Sequence, residues 1–288
     1  MSFLKTLEPV DYLVIGHITQ DVVAGGLRLG GTVSYAALTA KAMGLRVGIV
    51  TAYHSGFNLD LLNGISIVAK ESSQTSTFEN IATPEGRIQI LHHRACGITA
   101  AEIPDDWKKT PIVHLGPVVQ ELDDTIIHAF PNSFIGITPQ GWLRQWDSKG
   151  HVSLKIWEDA SKTLPFAAAV VMSIEDVQND ETQVEKFLSL SRVLVVTEGA
   201  AGARLYWNGD MRYFKPPRKQ EIDPVGAGDI FATVFFIRLQ QTHDPWEAAR
   251  FATLLAANSV TRKGLEGVPN PEEVTQSLIE VLPDYNTK

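Results

Sequence analysis

The sequence predicts an α/β protein: a mostly parallel sheet covered by helices on both faces, with a smaller group of wet strands set apart from it. Three observations carry this prediction. Short apolar runs at 12–15, 112–115 and 193–197 read as buried strands. Segments of helical spacing alternate with them, as βα units require. Residues 21–30 and 73–96 break that pattern with glycine and with polar–apolar alternation, as strands with one solvated face do.

In chain order, 12–15 is the first buried strand, closed by Gly16. Residues 21–29 alternate only in part and carry Gly25 and Gly26, so they read as an exposed strand or ribbon. Gly30 and Gly31 open a helix in which Tyr35, Leu38, Ala42 and Leu45 recur at spacings of three and four. Strands follow at 46–51 and 65–69. In 73–95, Thr75, Thr77 and Phe78 favour strand, 83–86 is a turn, and 87–90 alternates, which together make a hairpin. Further strands are expected at 134–137 and 167–172, with helices at 122–130 and 157–164. Asn208-Gly209-Asp210 joins two short strands as a hairpin turn. The last part is helical at 226–240, 245–262 and 271–282.

With 288 residues, 44% of them hydrophobic, the chain can bury a large core. The expectation is a single domain over 1–288 with strands inserted at about 21–30 and 73–96. A net charge of −8 argues against nucleic acid or an anionic membrane as the main partner. Cys96 is the only cysteine, which excludes an intrachain disulfide and a thiolate metal cluster. Residues 1–11 lack the pattern of a signal peptide, and no stretch approaches the roughly 20 apolar residues of a membrane span. A cytoplasmic protein is therefore expected. The eight histidines show no metal-binding spacing, and His114 reads as a satisfied core residue.

The chemistry concentrates at 223–229, DPVGAGD, just ahead of the apolar run 230–237. Glycines let a backbone turn tightly and approach a ligand. The first N–H groups of a helix have no partner within it, so the turn is a seat for phosphate. Asp229 beside such a seat makes sense as a base that takes a proton from the group attacking the phosphate. An N-capped core helix is the alternative reading of the same residues.

DPVGAGD closely resembles the second signature of the ribokinase-like (PfkB) carbohydrate kinases, usually DTxGAGD. Other parts fall in that family's order. Residues 16–21 look like its first strand and substrate aspartate, and Gly30-Gly31 like the start of its first signature. TEGAAG at 197–202 is similar to its TxGxxG nucleotide segment, and SVTRKG at 259–264 to its stretch near the adenine and a monovalent-cation site. The resemblance implies a three-layer ribokinase-like α/β/α fold with a small β-sheet lid, and a kinase that uses ATP and Mg²⁺ to phosphorylate a hydroxyl of a sugar, cyclic polyol or nucleoside. It makes Asp229 the general base and the amides of Gly226, Ala227 and Gly228 the anion hole. It places Asp21, Gly30, Gly31 and Tyr35 on the substrate side, and Thr197, Gly199, Gly202 and Asn258 on the nucleotide side. Asp223 would shape the loop and help hold a monovalent cation such as K⁺. Relatives often pair their lids, which implies a homodimer.

Two positions depart from the family pattern. SIED at 173–176 stands where the family has NxxE, leaving Asp176 to order water around Mg²⁺. Tyr35 replaces the asparagine of ribose-specific relatives. Gln89 in the hairpin and Arg144 after a strand end add polar groups suited to a substrate, and these stretches also resemble myo-inositol kinase-like proteins. Two other readings stay open: a ligand-binding or regulatory protein on the same fold, and a pyridoxal-type vitamin kinase.

Overall fold

The computed structural model describes residues 7–83 and 86–278. The chain opens with β1 (Tyr12–Ile15), a hairpin of β2 (Thr19–Val23) and β3 (Gly26–Gly30), α1 (Thr32–Ala42), β4 (Val47–Tyr53) and β5 (Ser66–Glu71). A second hairpin, β6 (Ser76–Thr83) and β7 (Gly86–His93), precedes β8 (Ile112–Leu115), β9 (Phe134–Ile137) and a short pair, β10 (Arg144–Trp146) and β11 (Val152–Leu154). Then come α2 (Ala160–Thr163), β12 (Ala169–Ser173), α3 (Glu181–Leu190), β13 (Val193–Thr197), β14 (Ala203–Trp207) and β15 (Asp210–Phe214). Three helices finish the described chain: α4 (Ala227–Thr242), α5 (Pro245–Ser259) and α6 (Pro271–Leu278).

The main sheet has nine strands in the order β15-β14-β13-β12-β9-β8-β1-β4-β5. From β5 to β13 neighbouring strands are parallel, and β14 and β15 add an antiparallel edge. The inner strands β1, β4, β8, β9, β12 and β13 are buried on both faces, which explains why they read as continuous apolar runs, whereas edge strand β5 is half-buried and edge strand β15 largely exposed. Along β13, Val193 and Val195 pack with α4 and α5 residues such as Phe235 and Leu255, while Leu194 and Val196 pack with Trp157 and Phe187 on the other face. The chain leaves β1 for β4 on one side and later returns to β8 on the other. Such a reversal opens a crevice at the carboxyl ends of the strands.

The wet strands form a separate four-stranded sheet, β3-β2-β6-β7, with β2 parallel to β6. Its root is held by His17, which is fully buried. Nε2–H of His17 donates to the Cys96 carbonyl at 2.9 Å, and Nδ1 accepts from the Ser76 hydroxyl at 2.8 Å. Ser76 Oγ in turn accepts the Ala95 N–H at 3.0 Å. One imidazole thus ties together the points where the chain enters and leaves this sheet.

Some elements differ from the sequence expectation. Residues 124–129 form a 3₁₀ helix started by the Asp123 side chain, not an α-helix. The helix expected at 157–164 is one turn, α2, running into a 3₁₀ segment at Leu164–Phe166 that contains Pro165, which has no N–H to continue an α ladder. The β10–β11 pair is too short to show a period, and α3 buries only Val184 and Phe187. The turn tip at 84–85 and residues 279–282 of the last expected helix lie outside the described residues. Among the described residues no helix is long and apolar enough to cross a membrane.

Candidate active site

A cavity of about 780 Å³ lies between the carboxyl ends of the parallel strands and the four-stranded lid. Thr138, Ser173 and Thr197, at or just past the ends of β9, β12 and β13, line its floor, and Asp21, Phe78, Asn80 and Gln89 of the lid line its roof. The start of α4 forms one wall.

That wall begins with Gly226, the residue before α4, at φ 83°. Only glycine adopts this conformation freely, and a Cβ here would also collide with the ring of Tyr35. The Ala227 N–H closes the turn on the Pro224 carbonyl at 3.2 Å. Of the three amides expected to seat an anion, that of Ala227 is therefore used inside the turn. Gly228 and Asp229 line the cavity, and among the described residues their N–H groups have no backbone acceptor. Gly228 faces open space.

Asp229 sits in the first turn of α4, where the helix field favours an ionised carboxylate. Burial outweighs that field. The Asp229 carboxyl is pushed up to about 6, with Asp176 and Asp21 adding to the rise and Thr32 and Arg144 opposing it. A buried chain of hydrogen bonds holds its backbone from behind. Thr138 donates to His114 Nε2 (2.9 Å), and His114 Nδ1–H donates to the Tyr12 oxygen (2.8 Å). The Tyr12 hydroxyl donates to Thr233 Oγ1 (3.4 Å), which donates to the Asp229 carbonyl (2.8 Å). Every group is satisfied when His114 is neutral, and burial holds its imidazole down to about 3. The satisfied core histidine expected from sequence is found, and it also anchors the turn.

On the roof side, Asp21 and Phe78 are cross-strand partners in the lid. Gly30 lies outside the cavity lining but leaves room for the Asp21 carboxylate, which a Cβ at 30 would meet. Gly31 lines the cavity beside Tyr35. The Tyr35 hydroxyl is buried with no hydrogen-bond partner among the described residues. The Gln89 amide donates to Asn80 Oδ1 at 3.0 Å, so the two act as one polar unit. Arg144 reaches in from β10: its guanidinium donates to the Val118 carbonyl at 3.1 Å and lies 5.7 Å from the centre of the Phe78 ring. It is the positive group that favours ionisation of both Asp229 and Asp176.

At the other end, Thr197, Gly199 and Gly202 line the cavity as expected. Asn258 does not. Helix α5 presents Ala256 and Ala257 instead, with Val260 just beyond it, and Asn258 falls off that face. Asp176 lines the cavity, but its carboxylate accepts the Ser173 N–H (2.9 Å) and the Gln140 amide (3.2 Å), and burial raises its pKa. Asp223 is not among the lining residues: its oxygens accept the N–H groups of Val225 (3.0 Å) and Gly264 (2.9 Å).

The sequence reading missed Thr32, whose hydroxyl bonds the Asp229 carboxylate, and Lys215, Arg218 and Lys219, which also line the cavity. The basic residues were visible as the run KPPRK at 215–219. Thr32 carried no signal, because only the packing of α1 against α4 brings it to Asp229.

The chain is similar to known proteins in sequence and in fold. Residues 166–273 match the sequence profile described as pfkB family carbohydrate kinase. The chain is similar to inositol 3-kinase of Oryza sativa subsp. japonica, 35% identical over 287 residues that cover 90% of this chain and 70% of that protein. It is also similar to inositol 3-kinase of Zea mays, 28% identical over 155 residues, a match that spans 53% of this chain and 39% of the maize protein. Among solved structures, a pyrophosphate-dependent kinase in the ribokinase family complexed with a pyrophosphate analog and myo-inositol superposes with a TM-score of 0.77 at 20% identity, over 92% of this chain and 99% of that one. A putative ribokinase II from E. coli in complex with ATP and Mg²⁺ gives 0.68 at 18%, over 93% and 98%. The structural matches establish the ribokinase-like α/β fold with its separate small sheet. With that fold, the profile match and the long alignment to the rice kinase, the chain belongs to the pfkB family of carbohydrate kinases, phosphotransferases with an alcohol acceptor.

Proposed function

We propose that this protein transfers the terminal phosphoryl group of ATP to one hydroxyl of a small cyclic polyol, with an inositol as the leading candidate. The observation that carries the reading is the pairing, in one cavity, of Asp229, its carboxyl pushed up to about 6, with the open amides at the start of α4. Asp229 takes the proton of the attacking hydroxyl as its oxygen bonds to phosphorus and the bond to ADP breaks. The Gly228 and Asp229 amides and the Arg144 guanidinium face the charge on the transferring group. Asp21, an acceptor with two oxygens, suits two neighbouring ring hydroxyls, and the Tyr35 hydroxyl and the Asn80–Gln89 pair offer further polar contacts. The Phe78 ring gives the C–H face of a cyclic polyol an apolar surface. Similarity to two inositol 3-kinases points the same way.

The donor end supports ATP: Ala256, Ala257, Val260 and Val225 form an apolar wall for a base, and Lys215, Arg218 and Lys219 lie near it for phosphates. Mg²⁺ is held mainly by phosphates, water and one or two carboxylates, which Asp176 and Glu175 at the end of β12 can supply, and when bound it neutralises phosphate charge. Closure of the lid over the cavity excludes water that would hydrolyse the donor. The lid's outward face carries exposed Leu27, Ile81 and Ile88, which suits a homodimer through that face. A dimer mass in sedimentation that falls to monomer in Ile88→Asp tests it.

The test of function is ADP release over a panel of inositols, sugars and nucleosides, with Asp229→Asn as the control. Turnover with an inositol that disappears in the variant supports the reading. No turnover with any acceptor, while ligands still raise the melting temperature, would sink it in favour of a binding protein.

A further inference from the structure

Asp223 opens the catalytic turn, yet it belongs to a different set of contacts from the cavity. One of its oxygens holds the Val225 N–H inside the turn, and the other holds the Gly264 N–H, bolting the turn to the loop after α5. The Ile222 and Asp223 N–H groups donate to the Val260 carbonyl on the same side (2.7 and 3.1 Å). This buttress puts a carboxylate charge just behind an anion seat, where it weakens the seat's pull on phosphate unless something cancels it.

The cancelling group comes from the lid. Arg28 on β3 reaches across so that its Nη1 lies 3.6 Å from Asp223 Oδ2. It rests on Gly264, which has φ +51° and whose added Cβ would stand 2.9 Å from the same Nη1. The Arg28 Nε is buried without a partner among the described residues, while the side chain as a whole is 33% exposed. A monovalent cation beside Asp223 does not fit this arrangement. Both carboxylate oxygens already take N–H groups, and a second positive charge would lie within a few ångströms of the guanidinium.

We propose that Arg28 is a built-in cation: a positioning residue that supplies, from the protein itself, the positive charge balancing Asp223, and so makes this kinase independent of monovalent cations. Because Arg28 sits on a lid strand, the balancing charge is carried by the same sheet that covers the cavity. Its catalytic arm rests on the kinase reading above, whereas its binding arm rests on the Arg28–Asp223–Gly264 contacts alone.

The experiment compares wild type, Arg28→Ala and Arg28→Lys in buffer whose only cation is tetramethylammonium, with K⁺ then added to about 100 mM and Li⁺ as control. Turnover and melting temperature are read in parallel. Wild type should change less than about twofold in turnover and show no K⁺-specific thermal shift. Arg28→Ala should lose roughly tenfold or more in turnover, recover part of it with K⁺ but not Li⁺, and gain a K⁺-specific thermal shift. Arg28→Lys should stay close to wild type, an outcome that loss of packing alone does not produce. A wild type that K⁺ activates or selectively stabilises overturns the proposal. So does an Arg28→Ala protein that turns over normally without any cation. If wild type fails to turn over on every acceptor, the kinase reading falls, and the thermal shifts of wild type and Arg28→Lys still decide the role of Arg28.

Discussion

The ring of Tyr35 lies directly against the Cα of Gly226, filling the space a Cβ would need. Helix α1, which carries the tyrosine, and helix α4, which the glycine introduces, are thereby locked together at the wall of the cavity. The contact sets both the position of the open amides and the place of the Tyr35 hydroxyl, which has no hydrogen-bond partner among the described residues.

Gly226→Ala should therefore cost more than backbone strain. A left-handed alanine costs about 1–2 kcal/mol, and the displaced ring moves the anion seat with it. Turnover should fall by about a hundredfold or more, in line with the loss of an oxyanion donor, and melting should drop by several degrees. Steady-state kinetics and calorimetry check both. Near-normal turnover would mean that the amides at this turn do not face the reacting phosphate.

Asp229 predicts a pH profile. With its carboxyl pushed up to about 6, kcat/KM should rise through a midpoint near that value and level off above it. Asp229→Asn should remove the ascending limb and about a thousandfold of turnover. The same shift has a stability consequence. The folded state holds the proton more tightly than the unfolded chain, so ionising the buried carboxyl costs stability as pH rises from the ordinary 3.8 to about 6. Asp229→Asn should consequently melt higher than wild type at neutral pH, and a lower melting point there would contradict the burial argument.

His114 acts in the opposite direction. Its imidazole is held down to about 3 against an ordinary 6.5, so its contribution is complete above 6.5 and is lost as pH falls toward 3. His114→Gln should be less stable than wild type at neutral pH, having broken the chain from Thr138 to Asp229. The difference between the two proteins should shrink on acidification. Melting curves across that range decide it, and a constant difference would assign the cost to packing.

The donor can be separated by one side chain. Ala257, on α5, lines the proposed apolar wall, while the open amides belong to α4. Ala257→Trp should raise the KM for ATP by at least about tenfold while leaving any use of pyrophosphate unchanged. Equal loss with both donors would show that the wall is not a base site. Efficient wild-type turnover with pyrophosphate and none with ATP would reassign the three basic residues at 215–219 as the donor site.

Much of the frame was legible because burial on both sheet faces leaves continuous apolar runs, and strands β1, β8, β9 and β13 fall where those runs stand. The wet hairpins were legible for the complementary reason, their alternation. Short elements such as β10, one-turn helices and the 3₁₀ form of 124–129 were not, since a few residues cannot display a period. Asn258 lies off the cavity lining for a related reason. A motif names a stretch, but helix phase decides which of its residues face the cavity, and α5 turns Ala256 and Ala257 there.

By itself the sequence determined the sheet of βα units, the glycine-bearing turn before α4, and the presence of carboxylates at Asp21 and Asp229. These are local facts: periodicity, turn residues and side-chain type. Only the tertiary structure decided how those groups are charged and held. The pKa of Asp229 depends on burial and on Arg144, Asp176 and Asp21, the first two contributed by other strands and loops. The Ala227 amide is spent on Pro224, and Asp223 meets Arg28 from a lid strand far away in sequence. Electrostatic strength depends on distance and dielectric, and both are set by packing between segments that the sequence leaves far apart.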